Sequence, residues 1–185
     1  MVSVVGLAAV SVFTSPGTSE PTVETKVGYI VRDLKAMQAL EPLQDDPGQG
    51  WPQQAQVSLT RLKGNVEKAA SIASDLERQL AAKSSGCIFA KKAADKIDQE
   101  IPPAATATRN ALMVLLAGTK ARLTSLNDEN NALGWIGWRG SREEAISELV
   151  LLSHEVETTA ADSDLAFART KNAADGLGKA SATCR

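Results

Sequence analysis

His154 is the only histidine in the chain, and Cys87 and Cys184 are the only cysteines. General acid–base work or metal ligation by His154 needs partners one helical turn away, and its neighbours Leu151 and Thr158 offer none. Any pairing of a Cys or Ser nucleophile with a base would depend on this single imidazole. Two cysteines and one histidine fall short of the roughly four ligands of a structural zinc site. Leu151-Leu152-Ser153-His154 lacks the Glu of the Glu-x-x-His motif that builds di-iron bundles. Glu143, Glu144 and Glu148 are acidic enough for acid–base pairing, but they sit where a helix should begin, and there a negative charge complements the helix dipole. Gly134, Gly137 and Gly140 follow no strand and match no phosphate-binding spacing. The reading is therefore of a protein with no catalytic, cofactor or metal residues.

The cysteines carry more information as a pair. The point midway between them falls at 135–136, inside the Gly/Trp-rich stretch 134–140. A chain that runs out from Cys87, turns there and returns brings both sulfurs to one end. Each leg would then be about 68 Å if wholly helical at 1.5 Å per residue. A disulfide between them would constrain a loop of 97 residues. In the chain-entropy picture that is worth about 4–5 kcal/mol, and it implies an oxidising compartment. The turn itself displays Trp135, Ile136, Trp138 and Arg139. Large aromatics on a loop either anchor a partner or plug the end of a thin bundle, and the plug is the preferred reading. Trp51 is expected to cap another pole in the same way.

These residues are positioned by a chain whose composition speaks for helices. Of 185 residues, 29 are alanine, only 4% are aromatic and 43% are hydrophobic. An interior filled by Ala and Leu suits closely packed helices better than a thick core. The net charge of −2 arises from 20 basic and 22 acidic residues mixed along the chain. No basic patch for nucleic acid stands out, nor any polybasic run for anionic lipid. No stretch reaches the ~18–20 apolar residues of a membrane span. Met1 to Phe13 is mostly apolar but lacks the basic start of a signal peptide.

Residues 1–21 read as an N-terminal extension or linker, with Pro16, Gly17 and Pro21 among Ser and Thr, and residues 22–185 as one helical-bundle domain. A first helix is expected over about 22–40, with Val27, Ile30, Val31, Leu34, Met37 and Leu40 at helical spacing. The second opens with Pro52 in its first turn. It carries a seam of Leu59, Leu62, Val66, Ala69, Ala73, Leu76 and Leu80 at alternating steps of three and four, the heptad pattern of supercoiling helices. Ser84-Ser85-Gly86 ends it. A third helical region runs from Cys87 to about Leu133, and Pro102-Pro103 is expected to break or kink it. Ser141 with Glu144 forms a capping-box signature for a fourth helix. That helix's inner face is read as Ile146, Leu149, Val156, Ala160, Phe167, Ala174 and Leu177, with Ser153, Ser163 and Thr170 at the skipped steps. The expected fold is all-α: an elongated antiparallel bundle of three to four long helices with a disulfide-tied hairpin.

Long Ala-rich heptad helices, a long hairpin, few aromatics and one disulfide at the open end together resemble the helical-bundle surface proteins of trypanosomes. That group includes the variant surface glycoproteins, the haptoglobin–haemoglobin receptor and the glutamic acid/alanine-rich protein, and size and alanine content are most similar to the last. The chain departs from it in having 12 glutamates beside its 29 alanines. The resemblance covers about residues 22–184 in character and transfers no functional residue. It implies a coat protein or antigen on the outer face of the plasma membrane, held by a lipid anchor such as a GPI group outside this chain. Its partners would be neighbouring coat molecules or a host or vector protein. The alternative is a surface receptor or adhesin that binds a protein ligand through its tip or a helix face.

Overall fold

The computed structural model describes residues 23–40, 51–81, 87–128 and 141–182. These form four helices: α1 (Val23–Gln38), α2 (Trp51–Ala81), α3 (Cys87–Asn127) and α4 (Arg142–Ala182). No strand occurs among the described residues. α3 and α4 have 41 residues each, about 61 Å apiece at 1.5 Å per residue. The extension at 1–21 and the Gly/Trp tip at 135–139 lie outside the described residues, as do Cys184 and the side chain of Cys87.

α4 is the common partner, packing along both α3 and α2. Its register on α3 is antiparallel. Lys171 meets Asp98, Arg109 meets Asp164, Lys120 meets Glu157, and Arg142 donates to the Leu126 carbonyl. The residue numbers of these four pairs total between 268 and 277, so the two helices hold one alignment along their length. The register on α2 is parallel: Lys63–Glu155 and Glu77–Arg169 both join residues 92 apart. α1 lies parallel to α3 and fills the groove between α3 and α2 over one half of the bundle.

The interior is divided accordingly. In the four-helix half, Ile30, Leu34 and Met37 of α1 pack with Ile72 and Leu76 of α2, Ile97 and Ile101 of α3, and Phe167 and Ala174 of α4. In the three-helix half, Trp51, Leu59, Leu112, Leu126, Leu149 and Val156 form a second cluster. The α2 seam expected from the heptads is buried from Leu59 to Leu76, and Leu80 is half-buried. The inner face of α4 is wider than a single seam: Leu152, Ala166 and Ala173 are buried beside the expected Leu149, Val156, Phe167 and Ala174. A helix that packs on two neighbours must bury two lanes.

Pro102 and Pro103 do not break α3, which continues unbroken through both. They cost an interior helix about 3 kcal/mol each and leave the carbonyls of Asp98 and Gln99 without an N–H from the next turn. Both prolines are exposed, so those carbonyls lie on the side open to water. On the opposite face Ile97, Ile101 and Ala104 are fully buried. Each large apolar side chain so placed contributes about 1.5–3 kcal/mol. Gln38 adds a clamp, donating at 2.7 Å to the Glu100 carboxylate across the α1–α3 contact. These local contacts offset much of the penalty, and packing on α4, α1 and α2 along the rest of α3 supplies the remainder.

The capping box forms as the sequence implies. The Ser141 N–H donates to the Glu144 carboxylate at 2.7 Å, and the Glu144 N–H donates to the Ser141 hydroxyl at 3.2 Å. Between the two core clusters the interior turns polar, with Thr108, Thr159 and Ser163 buried. Thr108 is 0% exposed, yet its hydroxyl has no hydrogen-bond partner, and neither does the buried amide nitrogen of Asn65. A buried hydroxyl left unpaired costs about 1–3 kcal/mol. Thr108→Val keeps the shape and removes that group. We expect it to raise the thermal midpoint by about 2–4 °C per kcal/mol recovered. A drop in the midpoint, measured by circular dichroism, would show that the hydroxyl is satisfied after all.

Candidate functional site

The residues singled out for chemistry are scattered. His154 is exposed on α4. Glu144 is committed to the capping box, and Glu148 lines an open groove with Glu155. Glu157 lies one turn beyond His154, but its carboxylate is taken by Lys120, which donates to it at 2.8 Å. Among the described residues no group of three His, Cys, Asp or Glu side chains converges. No described helix is long and apolar enough to cross a membrane.

Trp51 does not cap a separate pole. It is the first residue of α2, and it lies buried in the same cluster as Leu126 and Ala145, which flank the 129–140 segment. Its ring lies against Gly118, where a Cβ would come within 3.2 Å of it. The Arg122 guanidinium lies over the ring at 3.9 Å from its centre, a stacked cation–π contact. Trp51 therefore takes up the space that α1 fills in the other half. Its bulk beside a Gly on α3 was the signal available in sequence, but only the pairing of α2 with α3 reveals it.

Two open grooves mark the surface. One, of about 390 Å³, lies between the start of α2 and α4 and is lined by Pro52, Gln53, Gln56, Glu148, Leu151 and Glu155. The other, of about 320 Å³, lies between α1 and α2, with Tyr29, Asp33, Lys68 and Arg78 among its walls. Within it Asp33 pairs with Lys68 and Arg78 with Asp75.

The best-defined surface is the outer face of α4. Leu151, His154, Thr158, Ala161, Leu165, Ala168 and Asn172 follow one another at alternating steps of three and four, and all are exposed. Leu151 and Leu165 are 64% and 67% exposed. None of the seven carries a fixed charge. On each side the strip is fenced by ion pairs that tie α4 to its neighbours. Lys63–Glu155 at 2.9 Å and Arg169–Glu77 at 2.6 Å stand on the α2 side. Lys120–Glu157 at 2.8 Å, Arg109–Asp164 at 3.8 Å and Lys171–Asp98 at 2.7 Å stand on the α3 side. Such a strip has the size and spacing to pack against another helix. Leu151 and Leu165, fourteen residues apart in sequence and off the inner seam, were its only sequence signal.

The fence tunes its own acids and bases. The Arg169 guanidinium, hydrogen-bonded to Glu77, holds that carboxyl below its ordinary value, and Lys120 does the same to Glu157. In return Glu77 raises Arg169, and Asp98 raises Lys171.

No protein-family model matches the chain, and neither does any curated protein or solved structure.

A depressed carboxyl adds stability above its unfolded pKa and loses it as pH falls through the lower folded value. For Glu77 and Glu157 that window lies below their ordinary 4.5. The raised Lys171 and Arg169 contribute fully at neutral pH and lose their effect only above the ordinary 10.5 of a lysine. The thermal midpoint should therefore hold steady from about pH 8 to about pH 5 and decline below that. Lys120→Ala should flatten the acid limb. A midpoint that rises on acidification would contradict this.

Proposed function

We propose that the chain is a non-enzymatic structural protein of a cell surface, a coat component or antigen built as a slender helical rod. The observation that carries the proposal is the single register of α3 on α4, held along 41-residue helices. The alignment sets the start of α3 at position 87 level with the end of α4 at Ala182, and Cys184 follows two residues on in the sequence. That supports a Cys87–Cys184 disulfide at the foot of the rod and, through it, an oxidising compartment. A rod whose exterior is laced by matched ion pairs suits dense side-by-side packing, because each copy presents little uncompensated charge to the next. The resemblance to trypanosome surface proteins belongs to this proposal, as does attachment by a lipid anchor. A receptor or adhesin that engages a host or vector protein through Trp135, Ile136, Trp138 and Arg139 is the competing role. It predicts saturable binding that Trp135→Ala with Trp138→Ala abolishes without unfolding the chain.

The direct test is thiol labelling of the unreduced protein purified from its native source. The expected result is no labelled cysteine before reduction and two after it. Two reactive thiols in the untreated protein would remove the disulfide and the extracellular assignment together.

A further inference from the structure

We propose that two copies of this chain pair antiparallel along the outer face of α4. The inference rests on the described surface alone and holds wherever in the cell the protein resides. A charge-free strip at heptad spacing is the pattern by which one helix recognises another, and the inner face of α4 is already occupied by α2 and α3. The strip is exposed throughout, so nothing in the chain's described part covers it.

The sequence along the strip selects a second copy as its occupant. α4 is acidic in its middle, with Glu155, Glu157, Asp162 and Asp164, and basic further on, with Arg169 and Lys171. Reversed on itself, α4 matches. In one antiparallel register Ala161 meets Leu165 of the second copy, Thr158 meets Ala168 of the second copy, and His154 meets Asn172 of the second copy. Between positions 154 and 172 small residues face large ones and polar residues face polar ones; Leu151, at the end of the strip, lies opposite Asp175 of the second copy, whose charge Lys171 offsets. In the same register the flanking positions set Glu155 against Arg169 of the second copy and Glu157 against Lys171 of the second copy. The two-fold axis repeats both contacts, giving four attractive pairs. These four side chains keep between 45% and 49% of their surface with their intramolecular partners in place, so each can bridge both.

The cost falls at the axis, where Asp162 and Asp164 each meet their own copy. Arg109 already lies 3.8 Å from Asp164 and offsets one of these repulsions. A parallel pairing is poorer: it sets Glu157 against Asp162 of the second copy on both flanks and leaves only the two Asp164–Arg169 pairs attractive. The strip from Leu151 to Asn172 is about 32 Å long, and with its fence about 20 Å across, the width of two helices. That is about 640 Å² per copy and about 1,300 Å² in all, at the lower end of stable interfaces. The dimer should therefore be reversible, with dissociation in the micromolar range.

Sedimentation equilibrium of the full chain, under reducing conditions to exclude intermolecular disulfides, tests this. Between about 1 µM and 1 mM the mass should move from 19.5 kDa towards twice that value. Leu165→Glu should keep the chain monomeric at all concentrations with its helix content unchanged. Asp162→Asn should tighten the dimer severalfold by removing a repulsion at the axis. Glu155→Arg and Arg169→Glu should each weaken self-pairing at least tenfold, and the two variants mixed should recover it, because each then meets its complement. A chain that stays monomeric throughout overturns the proposal. So does a dimer indifferent to Leu165→Glu and Asp162→Asn, since its contact would lie elsewhere.

Discussion

The close approach of α4 to two helices at once is the constraint on which everything else depends. It is possible because α4 and its neighbours present small side chains to each other. Thr170 shows how close the backbones come: its hydroxyl lies 2.8 Å from the Ala166 carbonyl in its own helix and 3.0 Å from the Ala69 carbonyl of α2. A side-chain hydroxyl reaches the backbone of another helix only where the intervening residues are no larger than alanine. Further along, a Cβ added at Gly178 would sit 3.9 Å from that of Ala94, and one at Gly176 would come to 3.0 Å from Leu80. The abundance of alanine is therefore a geometric requirement of the bundle, and the scarcity of aromatics follows from it.

Two consequences run outward from that contact. The first is register. Helices held this close cannot slide, and the alignments of α4 on α3 and on α2 bring acid and base together at five places along its edges. Exposed pairs of this kind add little stability individually. Their importance lies in what they leave between them, a face of α4 without fixed charge. The second is the change from four helices to three. α1 fills the groove between α2 and α3 in one half, and Trp51 with Arg122 closes it in the other. The polar layer at Thr108, Thr159 and Ser163 lies where one arrangement gives way to the other.

Elements governed by local chemistry were legible in the sequence. The heptads of α2 and the Ser141–Glu144 box are rules that act within one or two turns, and both hold. Pro102-Pro103 misled because the proline penalty is local, whereas α3 is held along its whole length by packing on the other helices, Ile97 and Ile101 included, on its far side. α4 misled in another way: a strict seam assumes one partner, and Leu152, Ala166 and Ala173 are buried because there are two. Trp51 was placed at the wrong pole because nothing local says which way α2 runs relative to the turn. The outer face of α4 stayed hidden because a search for reactive residue types passes over a surface defined by lacking them. It becomes visible once the inner face is known. The expected Cys87–Cys184 pairing and the Trp135–Arg139 tip fall outside the described residues.

Native-state amide hydrogen exchange tests the central role of α4 most directly. If α4 is the helix on which the others depend, its amides from about Leu149 to Ala174 should exchange only through global unfolding, and those of α1, attached along one side, should open at lower cost. An α4 that exchanges faster than α1 or α2 would contradict the account, because a helix that opens first cannot be what holds the bundle in register.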